Sequence, residues 1–211
     1  QMTAAAILLL VEEGQVDLDA SIHTYIPESP PLWQGVTIRH LLTHTSGIKN
    51  YTGLPGFELS RRLNRAGFVH ELSTYPLDFA PGEHWAYSNS GYNLLGYIIG
   101  QGSGLPYWSF LKKRLFDPLG MASTRDRDLI DVFPHRVTGY EWDDEMLQGR
   151  DYNLTDLFAA GAMVSTVSDL VKWNAALSTT DFLTADSMKE MWKPARLNNG
   201  GAYPYGFGWN I

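Results

Sequence analysis

The chain has 211 residues, a net charge of −7 and 44% hydrophobic residues. That is enough apolar sequence to bury a core, and the acidic balance without a basic run argues against nucleic acid as a partner. With no cysteine, disulfides, thiolate metal sites and a cysteine nucleophile are excluded. The longest apolar run, residues 4–11, falls far short of the roughly 20 residues that a transmembrane helix needs.

Residues 2–13 are apolar nearly all round, the pattern of a buried helix, and Gly14 is its stop. A polar turn and a short helix follow within residues 16–27. Pro27, Pro30 and Pro31 then mark a subdomain boundary. Thr37 caps a helix over residues 38–44, in which His40 and His44 stand four apart on one face. No third ligand at metal-binding spacing and no His-Glu-x-x-His pattern accompany them, so a structural role is expected and no metal site. Residues 48–57 read as a loop carrying Tyr51. Residues 57–72 read as a helix broken at Gly67, with Arg61, Arg62 and Arg65 on a solvated basic face.

Pro81-Gly82 is a turn signal, and Trp85 and Tyr87 alternate away from it like an extended piece. Asn89 or Ser90 then caps a helix through residues 91–101. Side chains two apart in an extended piece point the same way, so the phenol of Tyr87 and the amide of Asn89 should face one site. Residues 105–116 have the spacing of an amphipathic helix, and residues 136–142 alternate like a strand. Asp143, Asp144 and Glu145 lack the alternating ligands and glycine turn of a calcium loop and read as a solvated hairpin tip. Thr166 or Ser168 caps a helix over residues 169–177, and Thr184 caps one ending at Met191. In residues 203–211, Tyr205, Phe207 and Trp209 alternate with glycines, which predicts an aromatic strand with an open edge.

The stretch Trp85-Ala86-Tyr87-Ser88-Asn89 resembles the Tyr-x-Asn motif of the serine β-lactamase and penicillin-binding-protein superfamily. Two further stretches resemble the same branch, which holds class C β-lactamases, D-alanyl-D-alanine carboxypeptidases and esterases. They are Thr37-Ile38-Arg39-His40-Leu41-Leu42-Thr43-His44-Thr45-Ser46-Gly47 and Gly161-Ala162-Met163-Val164-Ser165-Thr166-Val167-Ser168-Asp169-Leu170. The resemblance implies an α+β, mostly helical architecture, a helical subdomain plus part of an α/β domain with most sheet strands missing. Residues 1–27 would hold the nucleophile-bearing helix and a connector. Residues 28–160 would be the helical subdomain, and residues 161–211 would return to the α/β domain.

The resemblance also implies chemistry. A serine of a Ser-x-x-Lys motif would attack an acyl carbonyl, with Tyr87 and the lysine moving the proton. Asn89 would bind the substrate amide or hold the lysine. Tyr51 would contact substrate at the rim of the site, against the alternative of an ordinary surface tyrosine. No cofactor is implied. The partner would be a small-molecule or peptide substrate, and a periplasmic or secreted location is favoured. Ser46-Gly47-Ile48-Lys49 matches Ser-x-x-Lys literally, but Gly47 follows a helix as its stop, so the pair would not share a helical face. No Lys-Thr-Gly or His-x-Gly occurs. The expectation is an internal piece of a serine hydrolase for amides, β-lactams or esters. The serine and lysine would sit just before Gln1, and the piece alone would be inactive. A non-catalytic helical scaffold or binding module is the alternative. The open strand predicts self-association.

Overall fold

The computed structural model describes residues 1–58, 64–127, 132–143, 145–152 and 154–211. Its axis is helix α4, Asn89–Ser103, against which α1 (Met2–Glu12), α2 (Ile38–Leu42), α5 (Tyr107–Leu111) and α6 (Phe158–Gly161) pack. Helix α3 (Arg65–Ser73) lies beyond the loop, and α7 (Val167–Ala176) and α8 (Ala185–Met191) follow α6 in the chain. Residues from 1–27, 28–160 and 161–211 share one continuous apolar core.

The near-uniform hydrophobicity of α1 is matched by its environment. Residues Met2 to Leu10 are all buried, and Gly14 ends the segment with φ +68°. Its one polar side chain in the core, Thr3, bonds the Tyr107 hydroxyl at 2.6 Å and donates to the Ala159 carbonyl at 2.8 Å. Two glycines let α4 sit this deep. A Cβ on Gly91 would lie 3.3 Å from the Leu41 carbonyl of α2. One on Gly96 would lie 2.4 Å from the Ala159 methyl of α6.

Strands are few and short among the described residues. β1 (Arg125–Asp126) pairs antiparallel with β4 (Met163–Val164). β2 (Gly139–Asp143) pairs with β3 (Met146–Arg150), and β5 (Ala195–Arg196) with β6 (Ala202–Tyr203). The β2–β3 hairpin is solvated, and Glu145 takes φ +68° at its tip. Asp144 lies outside the described residues.

Several expected boundaries move for local reasons. The short helix near residue 22 is a single 3₁₀ turn, Ile22–Thr24, capped by Ser21. Gly67 does not break a helix. Its N–H donates to the Asn64 side chain at 2.9 Å, in the first turn of α3. Arg61 and Arg62 of the expected basic face lie outside the described residues. Helix α2 ends at Leu42, and His44 turns left-handed at φ +57°, so His40 and His44 do not share a helical face. Thr166 rather than Ser168 caps α7, and Thr184 caps α8. The expected open strand over residues 203–211 is corrected. Tyr203 pairs with Ala195, the backbone then turns at Gly208 (φ +79°), and Tyr205 and Phe207 are buried. Tyr205 and Phe207 thus face the chain's own core rather than an open aromatic face.

Candidate active site

The Tyr-Ser-Asn turn is pinned bond by bond to the segment that leaves α2. Gly82, at φ +79°, donates its N–H to the Thr45 carbonyl at 2.8 Å, and Ala86 donates to the His44 carbonyl at 2.9 Å. Trp85 stacks flat on Tyr203 with centroids 4.2 Å apart. The Ser88 hydroxyl donates to the Ile48 carbonyl at 3.2 Å and the Ser90 hydroxyl to the Lys49 carbonyl at 2.6 Å. The Asn89 N–H donates to the Asn50 side chain at 3.1 Å. These bonds explain why neither Asn89 nor Ser90 caps α4. Asn89 is already its first helical residue, and the side chains of all three polar residues serve the neighbouring loop.

Tyr87 is left half-exposed, with its hydroxyl 3.4 Å from Asn89 Oδ1. That separation is a shared outlook rather than a strong bond. Asn89 also donates from Nδ2 to the Thr52 hydroxyl at 3.3 Å. The two residues therefore face one side, as their spacing predicts.

Tyr87 opens onto a cleft of about 350 Å³. One wall is the N-terminal end of α1, with Gln1, Met2 and Thr3. Another is Tyr107, Trp108 and residues 158–163 around α6, and His44, Tyr92 and Tyr205 form the floor. Burial pushes the Tyr205 phenol up to about 12 and the Tyr92 phenol well above its usual value, so both remain protonated. Burial also pushes His44 down to about 3, which keeps its ring neutral.

Tyr51 is not on the rim. It is buried, donates its hydroxyl to the Asp156 carbonyl at 2.5 Å and accepts from Asn93 Nδ2 at 3.2 Å. Its N–H donates to the Ser90 hydroxyl at 2.9 Å. This places Tyr51 behind the motif, supporting it, and outside the cleft. Gly47 takes φ +73° outside any helix, and the Ser46 hydroxyl is buried and accepts the Ile48 N–H. Lys49 pairs with Asp78. A second literal match, Ser109-Phe110-Leu111-Lys112, escapes the sequence reading although the helical pattern around it was visible. Both of its residues are exposed, Lys112 pairs with Asp117 at 2.5 Å, and neither lines the cleft. No described residue lining the cleft is a serine or a lysine. His40 completes a capping box with Thr37, and no cluster that could hold a metal exists among the described residues.

The family model described as Beta-lactamase matches residues 1–211. The chain belongs to the Beta-lactamase family, within the serine β-lactamase and penicillin-binding-protein-like superfamily. This family member is 36% identical to penicillin-binding protein 4* of Bacillus subtilis over 98% of its length and 49% of that protein's. It is 34% identical to esterase EstB of Burkholderia gladioli over 64% of its length and 38% of that protein's. Among solved structures it matches the D-amino acid amidase of Ochrobactrum anthropi SV3 with TM-score 0.81 at 32% identity. That match covers 98% of this chain and 62% of the amidase. The chain spans about half the length of the first curated relatives it matches. Its relatives are serine hydrolases of β-lactamase fold, and its own helix-rich architecture with few strands matches solved structures of that fold.

Proposed function

We propose that this chain forms the Tyr-x-Asn side of a serine hydrolase active site that works through an acyl-enzyme on an amide, a β-lactam or an ester. The observation that carries the proposal is that Tyr87, with Asn89 beside its hydroxyl, faces residues 1–3 of the chain across one cleft.

In the reaction, a serine oxygen attacks the acyl carbonyl, and the serine proton passes through Tyr87 and a lysine to the departing nitrogen or oxygen as the acyl bond breaks. Water then attacks the ester so formed and releases the acid. Asn89, tied to the Asn50 and Thr52 side chains beside Tyr87, would hold the substrate amide or the lysine. The names of the relatives, a penicillin-binding protein, an esterase and an amidase, support acyl transfer and leave its leaving group open. The described lining of the cleft supplies Tyr87 without a serine or lysine, so we expect the 211 residues alone to be inert.

The test is hydrolysis of an activated ester and of a D-amino acid amide by the intact protein that carries this chain. Replacing Tyr87→Phe should lower kcat by about 100-fold or more. Full activity in that variant would remove Tyr87 from the chemistry and favour the non-catalytic scaffold.

A further inference from the structure

We infer that His44 is the positioning residue that holds Tyr87 in its cleft-facing conformation. The inference rests on the reading of Tyr87 as the proton-transfer group, and it adds a residue that the Tyr-x-Asn pattern does not contain.

The residues on either side of Tyr87 both bond to His44. The Ala86 N–H donates to its carbonyl at 2.9 Å, and the Ser88 N–H donates to its Nδ1 at 3.2 Å. The imidazole also lies against the Tyr87 ring, with centroids 4.4 Å apart. One buried residue thus fixes the backbone before Tyr87, the backbone after it and the plane of its phenol.

The tautomer follows from these bonds. A backbone N–H can only donate, so Nδ1 must accept and Nε2 must carry the proton. Nε2–H then donates to the Tyr205 hydroxyl oxygen at 3.2 Å. The side chains facing the ring are those of Trp85, Tyr87, Tyr92 and Tyr205, with no carboxylate among them. Nothing nearby would favour a charged imidazole, and neither ring nitrogen is free to take a substrate proton. His44 therefore organises the turn without itself transferring protons.

The backbone of His44 adds a constraint that makes the idea separable by mutation. At φ +57° it occupies the left-handed region, which glycine and asparagine tolerate best. His44→Gly keeps that backbone and removes the acceptor. His44→Asn keeps the backbone and offers Oδ1 near the place of Nδ1.

The experiment is steady-state kinetics on the intact protein, with Tyr87→Phe, His44→Gly and His44→Asn side by side. A displaced catalytic group costs up to about 100-fold, so His44→Gly should lower kcat by about 10–100-fold with KM within about 3-fold of wild type. His44→Asn should return kcat to within about 5-fold of wild type, with the pH–rate profile unchanged. If Tyr87→Phe is inactive while His44→Gly keeps the wild-type kcat, the inference about His44 falls and the reading of Tyr87 stands. If His44→Asn is as poor as His44→Gly and loses a limb of the profile, His44 transfers protons and the positioning role is wrong. If Tyr87→Phe is fully active, both readings fall. A measurement on the unmutated protein covers the case of variants that do not fold. Its imidazole ¹⁵N resonances should show a neutral ring protonated on Nε2 down to about pH 5. A ring protonated on Nδ1, or one titrating near its ordinary value, would overturn the inference.

Discussion

The close approach of α6 to α4 is what brings residues 158–163 into the cleft wall, and Gly96 is the residue that permits it. Replacing Gly96→Ala adds a methyl group 2.4 Å from the Ala159 Cβ and 2.6 Å from a Phe158 ring carbon. Carbon atoms rest about 3.5–4.0 Å apart, so the helices must separate by more than about 1 Å. The Ala159 methyl cannot rotate away, and the Phe158 ring is held against Tyr97 and Tyr107. Overpacking of this kind costs about 1–3 kcal/mol, and the rigid neighbour puts this case toward the upper end. Alanine gains about 1 kcal/mol over glycine in a helix interior, which offsets part of it. The net expectation is a loss of about 1–2 kcal/mol, or about 2–8 °C in Tm for a domain of this size. Gly100 is the internal control. A Cβ there meets only the Leu105 carbonyl at 3.7 Å, an ordinary contact, so Gly100→Ala should raise Tm. Thermal unfolding of the two variants beside the wild type checks both. Equal stabilisation by the two substitutions would refute the claim that Gly96 sets the α4–α6 distance.

Two other substitutions separate support from chemistry. Tyr51→Phe removes a hydroxyl bonded to the Asp156 carbonyl and Asn93 while keeping the ring, and should cost about 1–3 kcal/mol with KM unchanged, read by denaturation and kinetics together. A change in KM without a change in stability would return Tyr51 to the substrate. Asp169 accepts bonds from Lys172, the Ser123 N–H and the Thr124 hydroxyl. Burial pushes its carboxyl up, but these bonds outweigh burial and hold it below the usual value. A depressed folded pKa means stability present above about pH 4 and lost as pH falls through the folded value. Asp169→Asn should therefore flatten the acid limb of the stability–pH curve, and an acid limb as steep as wild type would refute the assignment.

Which parts of the fold were legible follows from how local the deciding interactions are. The burial of α1 was readable because nearly every residue in it is apolar, and the caps at Thr37 and Thr184 because a hydroxyl before a helix meets an N–H three residues on. Alternation of Tyr87 and Asn89 put both on one side for the same local reason. Tyr51 looked like a loop tyrosine because its partners, Asn93 and Asp156, lie 42 and 105 residues away. Residues 203–211 alternate like a strand, but Gly208 takes a left-handed φ and turns the chain, so the pairing with β5 stops short and the alternation does not extend into a longer strand.

His44 shows the limit most sharply. In sequence it stands four residues after His40, which invites a helical pairing that the end of α2 at Leu42 forbids. Its actual partners are Ser88 and Tyr205, 44 and 161 residues away, and no spacing rule connects them. One clue was local. A histidine between two threonines, just past a helix, sits where a C-terminal left-handed turn is common, and a residue held there has its side chain turned away from the helix face. That clue predicts a histidine freed from α2 and leaves its target open. The target lies around Tyr87, because the Ala86 and Ser88 N–H groups that bracket it both bond to His44.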